Sequence, residues 1–140
     1  MSVAVGFLLD TNAISETIKL RPNANVLSLL NSVPNSSLYL SVLTIGELRK
    51  GDVAKRRRHP SMTDRYGSWI DALEGTYADR ILPVDKAIAT LWGELNADRS
   101  RAAVDTLLAA TAIVHGLTLV TRNVRDVDDL PVKLLNPWLP

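Results

Sequence analysis

The sequence predicts an α/β fold, a small and mostly parallel central β-sheet flanked by α-helices. Two observations carry that reading. Short apolar runs at residues 3–9, 38–42, 80–84 and 117–121 alternate with stretches of helical spacing, which is the pattern of repeated strand–helix units around a parallel sheet. The first run (Val3, Ala4, Val5, Phe7, Leu8, Leu9) is apolar on both faces, as a strand in the middle of a covered sheet must be. It then drops into Asp10, Thr11 and Asn12. Ligands of open parallel sheets gather outside the carboxyl ends of the strands, and Asp10 stands at such an end.

The remaining elements follow in order. A short helix is expected over 12–20, capped by Asn12 or Ser15 and stopped before Pro22. Val26, Leu29 and Leu30 give a helix over 25–32 that ends before Pro34. Residues 38–42 form a strand bounded by Asn35, Ser36 and Ser37, and a helix runs from Thr44 to about Arg58. After Pro60, Tyr66, Trp69, Ile70 and Leu73 mark one face of a helix over 61–73. A strand at 80–84 leads to Asp85, the cap of a helix reaching about Asn96 with Ile88, Leu91, Trp92 and Leu95 as its buried stripe. Residues 102–115 are apolar and helical, Gly116 suits the position after a helix end, 117–121 is a strand, and 132–135 adds a last short one.

At 140 residues the chain is expected to be one domain spanning 1–140, and 46% hydrophobic content is ordinary for a globular protein. With no cysteine, disulfides, thiolate metal sites and cysteine nucleophiles are excluded. No apolar run approaches a membrane span, and the first residues lack the basic region and small-residue cleavage site of a secretory signal, so a cytoplasmic protein without a membrane partner is expected. The net charge of +1 hides a basic block of Lys50, Lys55, Arg56, Arg57, Arg58 and His59. Such a block suits either a polyanion surface or the carboxyl-terminal end of a solvated helix, and the residues alone favour the helix end.

Three carboxylates stand apart from the surface charge. Asp10 suits a helix cap and a functional group equally. Glu47 lies three residues after Thr44, a capping-box spacing that would account for it, yet it enters at the same sheet edge as Asp10. Asp105 sits among apolar and small residues in AAVDTLLAATAIV, where a lone carboxylate is costly unless paired or bound to a cation. Ala109 and Ala112 keep its helix face small, and this acid points to function. The loop after the strand at 117–121 adds Asn123 and Asp126 nearest the strand end. Carboxylates gathered at one edge need cations, and an all-oxygen set suits Mg²⁺ or Mn²⁺. Such an ion can polarise a phosphodiester and activate water. The nucleotide loops G-x-x-x-x-G-K-[ST] and G-x-G-x-x-G are absent, as is H-E-x-x-H, and His59 and His115 have no metal-like spacing.

Three segments in this order, LLDTN at 8–12, SVLTIGELRKG at 41–51 and VDTLLAATAIVHGLTLVTRNVRD at 104–126, resemble PIN-domain proteins, in particular VapC-type toxins of the FitB-like and plasmid-stability branch. The resemblance implies a PIN-like fold and a Mg²⁺-dependent endoribonuclease (Mn²⁺ able to substitute) that hydrolyses RNA with a metal-activated water. It implies Asp10, Glu47 and Asp105 as catalytic metal ligands, Asp126 as a further ligand, and Asn123 acting through water. Many relatives carry Asp where this chain has Asn123, and Asp126 can compensate three residues on. Lys50, Arg56 and Arg122 are the expected RNA contacts. The implied partners are a VapB-type antitoxin, RNA as substrate, operator DNA reached only through the antitoxin, and a second copy in a homodimer. Leu29, Leu30, Trp69, Ile70 and Leu73, on helices between residues 23 and 75, are expected to line an antitoxin groove. The alternatives are a non-catalytic PIN-like module that binds RNA or protein, motivated by Asn123, and a phosphoryl-accepting α/β domain using Asp10. The second is disfavoured because Asn12 breaks the D-x-D pattern.

Overall fold

The structure is a computed structural model that describes residues 6–60 and 64–139. The predicted strand residues 3–5 and the predicted helix start at 61 lie outside these. β1 (Phe7–Leu9) is the middle of five strands, with β2 (Leu38–Ser41) and β3 (Ile81–Leu82) on one side and β4 (Thr118–Val120) and β5 (Leu134–Leu135) on the other. All four pairings are parallel. Leu8 stands opposite Tyr39 of β2 and Leu119 of β4.

The strands are short, so the two-residue alternation of the pleat decides which helix each side chain meets. Leu9 and Val120 enter one core with Leu40, Leu48 and Ile70, while Leu8 and Leu119 enter a second with Leu108, Ala109 and Ala112. The first core lies under α1 (Thr11–Ser15), α2 (Ala24–Ser32), α3 (Val42–Arg58) and α4 (Arg65–Thr76). The second lies under α6 (Ala103–His115), against which α5 (Lys86–Leu95) packs. Of the predicted α5 stripe only Ile88 is fully buried, and Leu91, Trp92 and Leu95 are half-buried.

Capping chemistry sets the helix boundaries. Asp10 itself caps α1, accepting from the Ala13 N–H at 2.8 Å, so that helix begins before Asn12. Asn23 caps α2 by accepting from the N–H groups of Asn25 and Val26. Ser41 caps α3 by accepting from the Leu43 N–H at 3.0 Å, which starts that helix at Val42 rather than Thr44. Thr44 therefore lies inside the helix, buried, and no capping box pairs it with Glu47. Asp85 caps α5 as predicted. Gly116 ends α6 at φ 65°, the left-handed conformation in which a side chain would be strained.

Of the five side chains expected to line a groove along α2 and α4, three are core residues. Leu30, Ile70 and Leu73 are buried in the first core, and Leu29 and Trp69 pack against it.

Along the chain, successive strands step from β1 outward to β2 and β3, and the order then reverses to place β4 and β5 on the far side of β1. The gap between β1 and β4 is therefore a switch point, where the connections leave in opposite directions and open a crevice at the carboxyl edge. The Asp10 N–H donates to the Val120 carbonyl at 3.0 Å, fixing the ends of both strands side by side at this crevice.

Candidate active site

Four segments far apart in sequence deliver acids to the crevice. Asp10 leaves β1 and is 3% exposed. Glu47 arrives in the second turn of α3, because that helix starts directly after β2 and its amino end lies at the carboxyl edge. Asp105 occupies the first turn of α6, which precedes β4 and so brings its own amino end to the same edge. Asp126 closes a short 3₁₀ turn over Val124–Asp126 in the loop after β4. Helix amino termini carry partial positive charge, which offsets part of the repulsion among these acids.

The electrostatics show how near the groups are. Asp105 is pushed up to about 6, by burial first, then by hydrogen bonding to Asp126 and by the charges of Asp126, Asp10 and Glu47. A half-buried carboxyl that keeps its proton beside other carboxylates is the behaviour of acids sharing one site. Burial also raises Asp10, against the lowering pull of the Thr121 hydroxyl and the Ala13 N–H; Glu47 adds to the rise and Arg122 opposes it.

Hydroxyls order the acids. Thr11 donates its hydroxyl to Glu47 Oε1, and its oxygen lies 3.4 Å from Thr44 Oγ1. Thr121, at the end of β4, is hydrogen-bonded to Asp10 and accepts the Asn123 N–H at 3.0 Å. Sequence reasoning passed over both threonines, since a Thr beside an acid reads as ordinary turn chemistry. Their place immediately after a strand end was the available signal.

Asp10, Glu47, Asp105 and Asp126 are thus brought together. Asn123 enters the same loop through its backbone, and its side chain makes no capping bond. Arg122 lies near enough to Asp10 to act on its charge. Lys50 is exposed on α3. Arg56 points elsewhere: it pairs with the buried Asp52 at 3.1 Å and lines a separate cavity of about 300 Å³ with Lys55, Arg65 and Tyr66.

As a donor set the crevice is entirely oxygen, carboxylate with hydroxyl, and no sulfur or imidazole enters it. That chemistry fits a hard divalent cation such as Mg²⁺ or Mn²⁺ rather than a thiolate- or histidine-bound metal. Among the described residues no three His, Asp or Glu groups are already drawn around a single point that could hold an ion.

Fold and site define a parallel α/β protein with an acidic crevice at the switch point of its sheet. The PIN-domain family matches residues 7–131, and the chain belongs to that family. It is similar to toxin FitB of Neisseria gonorrhoeae, with 34% identity over 136 residues covering 94% of this chain and 97% of that protein. It is similar also to the VapC ribonuclease Y4jK of Sinorhizobium fredii, with 33% identity over 141 residues covering 95% and 98%. Among solved structures, FitAB bound to an IR36 DNA fragment matches with TM-score 0.80 and 30% identity over 94% of this chain and 95% of that one.

Proposed function

We propose that the chain is a divalent-metal-dependent endoribonuclease, one nuclease domain over residues 1–140, and the toxin of a toxin–antitoxin pair. The observation that carries this reading is the convergence of Asp10, Glu47, Asp105 and Asp126 on one crevice, where burial first, and then the neighbouring carboxylates, push Asp105 up to about 6. The likeness to a VapC ribonuclease and to toxin FitB supports the substrate class and the biological role.

Asp10 and Asp105 would hold the ion, with Glu47 and Asp126 completing the set and Asn123 reaching it through water. Bound there, Mg²⁺ or Mn²⁺ supplies charge neutralisation and polarisation of a phosphodiester. The residues of the chain do the rest. Thr11 and Thr121 hold Glu47 and Asp10 in place, so that the carboxylates are ordered before substrate arrives. Asp105 keeps its proton up to about 6 and sheds it as the pH rises, which readies it to hold a cation near neutrality. Arg122 at the rim meets the phosphate chain of RNA.

The expected partners are a VapB-type antitoxin that silences the nuclease, operator DNA reached through that antitoxin, and a second copy of the chain. The likeness to a FitAB complex on DNA supports the first two. No helix among the described residues is long and apolar enough to cross a membrane.

The non-catalytic alternative rested on Asn123, and a carboxylate from Asp126 beside Asp105 weighs against it. Incubating the purified chain with RNA and Mg²⁺ or Mn²⁺ tests the function. Cleavage that stops with chelator, and in Asp10→Ala and Asp105→Ala, is expected. Cleavage that persists in both variants, or intact RNA under all conditions, contradicts it.

A further inference from the structure

The segment after β5 runs beside the loop that carries Arg122, and the active-site chemistry above does not use it. β5 pairs with β4, and the Thr121 N–H donates to the Leu135 carbonyl at 3.0 Å, so residues 136–139 leave the sheet beside the loop that carries Arg122. Asn136 Oδ1 accepts the Trp138 N–H at 3.0 Å, and Pro137 is buried, which fixes the turn. The Trp138 ring packs against the first core on one side and receives the Arg122 guanidinium on the other, 4.4 Å from the ring centre.

Arg122 differs from the other arginines of the fold. Arg49, Arg56, Arg80, Arg99 and Arg101 are paired with carboxylates. Arg122 makes no such pair among the described residues, and it alone of their arginines both acts on the charge of Asp10 and lies on an indole face. A guanidinium lying on an indole is held by its face, which leaves its N–H edge open, and that edge matches the two oxygens of a phosphate. The adjoining Thr121 is bonded to Asp10, so Arg122 is anchored one residue from the acid crevice.

We propose that Trp138 is a positioning residue: its ring holds the Arg122 guanidinium at the rim of the crevice, edge outward, to grip a backbone phosphate of the RNA beside the bond that is cut. This rests on the nuclease reading. It assigns Arg122 a fixed orientation and gives the terminal Trp a role in substrate affinity rather than in turnover.

The test measures RNA cleavage by the full chain with Mn²⁺, and RNA affinity by fluorescence anisotropy in an Asp105→Asn background that does not cut. Arg122→Gln is expected to weaken affinity about tenfold or more and to raise KM with little change in kcat. Its log–log salt dependence should be shallower by about 0.7, the share of one lost phosphate contact on a single strand. Trp138→Leu keeps an apolar side chain on the first core but removes the π face, and should weaken affinity about three- to fivefold. Trp138→Phe should restore most of that loss. The double variant Arg122→Gln/Trp138→Leu should bind no worse than Arg122→Gln alone, because the ring acts only through the guanidinium. If the two losses multiply, or if Trp138→Leu lowers kcat at unchanged KM, the ring is structural and the inference falls. If the wild-type chain leaves RNA intact, the nuclease reading fails first, and the anisotropy series still decides whether Trp138 acts through Arg122.

Discussion

Two sets of acids share this small fold and are treated in opposite ways. Away from the crevice, Glu16, Asp52 and the more exposed Asp129 are given partners from the chain. Glu16 is 3% exposed, lies 2.5 Å from Lys19 Nζ and accepts the Asn23 N–H at 2.8 Å. Burial alone would raise it, and these partners instead hold it below the usual range. Buried Asp52 has Arg56, and Asp129 has Arg101 at 2.7 Å and Arg99 at 3.0 Å, which hold it low against the opposing pull of burial. In the crevice four acids meet, and the one cation that acts there, Arg122, is turned onto Trp138. A cluster of acids that the fold brings together without a neutralising cation is suited to a charge that arrives from outside.

The largest effect should come from the unpartnered set. Asp10→Asn and Asp105→Asn are each expected to lower the rate of RNA cleavage on the order of 10²-fold or more while the circular dichroism spectrum is retained. A rate within a fewfold of wild type in either variant would place the chemistry elsewhere.

Next in size is the loss of a partnered acid. Glu16→Ala removes a buried carboxylate and orphans the Asn23 N–H that starts the approach to α2, and should cost about 1–3 kcal/mol in urea unfolding. Conversely, Asp105→Asn should stabilise the metal-free chain at pH 8. Asp105 titrates near 6 when folded and near 3.8 when unfolded, so the folded state holds a proton that the unfolded chain has lost. Stability in the presence of chelator therefore falls as pH rises from about 4 through 6, a change of sign opposite to that of Glu16 and Asp129, whose contributions are lost as pH falls. The gain for Asp105→Asn is expected at about 1–2 kcal/mol, allowing for the carboxyl's partial exposure. A wild-type melting temperature flat across this window would contradict the crowding. Asp129→Asn, which breaks an exposed arginine pair, should move the melting temperature least of all.

How much of this was legible beforehand depended on how local the cause was. Asp10 stood out as the acid that ends an apolar strand, though a helix cap explained it equally well, and Asp105 as a lone acid in apolar surroundings, a contradiction visible within ten residues. Glu47 was ambiguous, since Thr44 three residues earlier offered a complete local explanation. Only the start of α3 at Val42, set by Ser41, removes it. The apolar residues of α2 and α4 looked surplus because the area of sheet they cover cannot be read from spacing. The Arg122–Trp138 stack joins residues sixteen apart through strand pairing, and the approach of Thr121 to Asp10 joins the ends of two strands; no linear pattern encodes either. The alternation of strands and helices, by contrast, gave the parallel sheet, with element ends displaced by a few residues where a capping side chain lay earlier than expected.

Calorimetric titration of Mn²⁺ into the chelator-treated chain near pH 6, repeated in buffers of different ionisation enthalpy, tests most directly whether the crevice is reserved for a cation. Binding accompanied by release of a proton, with both lost in Asp10→Asn and Asp105→Asn, is the expected result. Unaltered Mn²⁺ binding in both variants, or none in the wild-type chain, would contradict it.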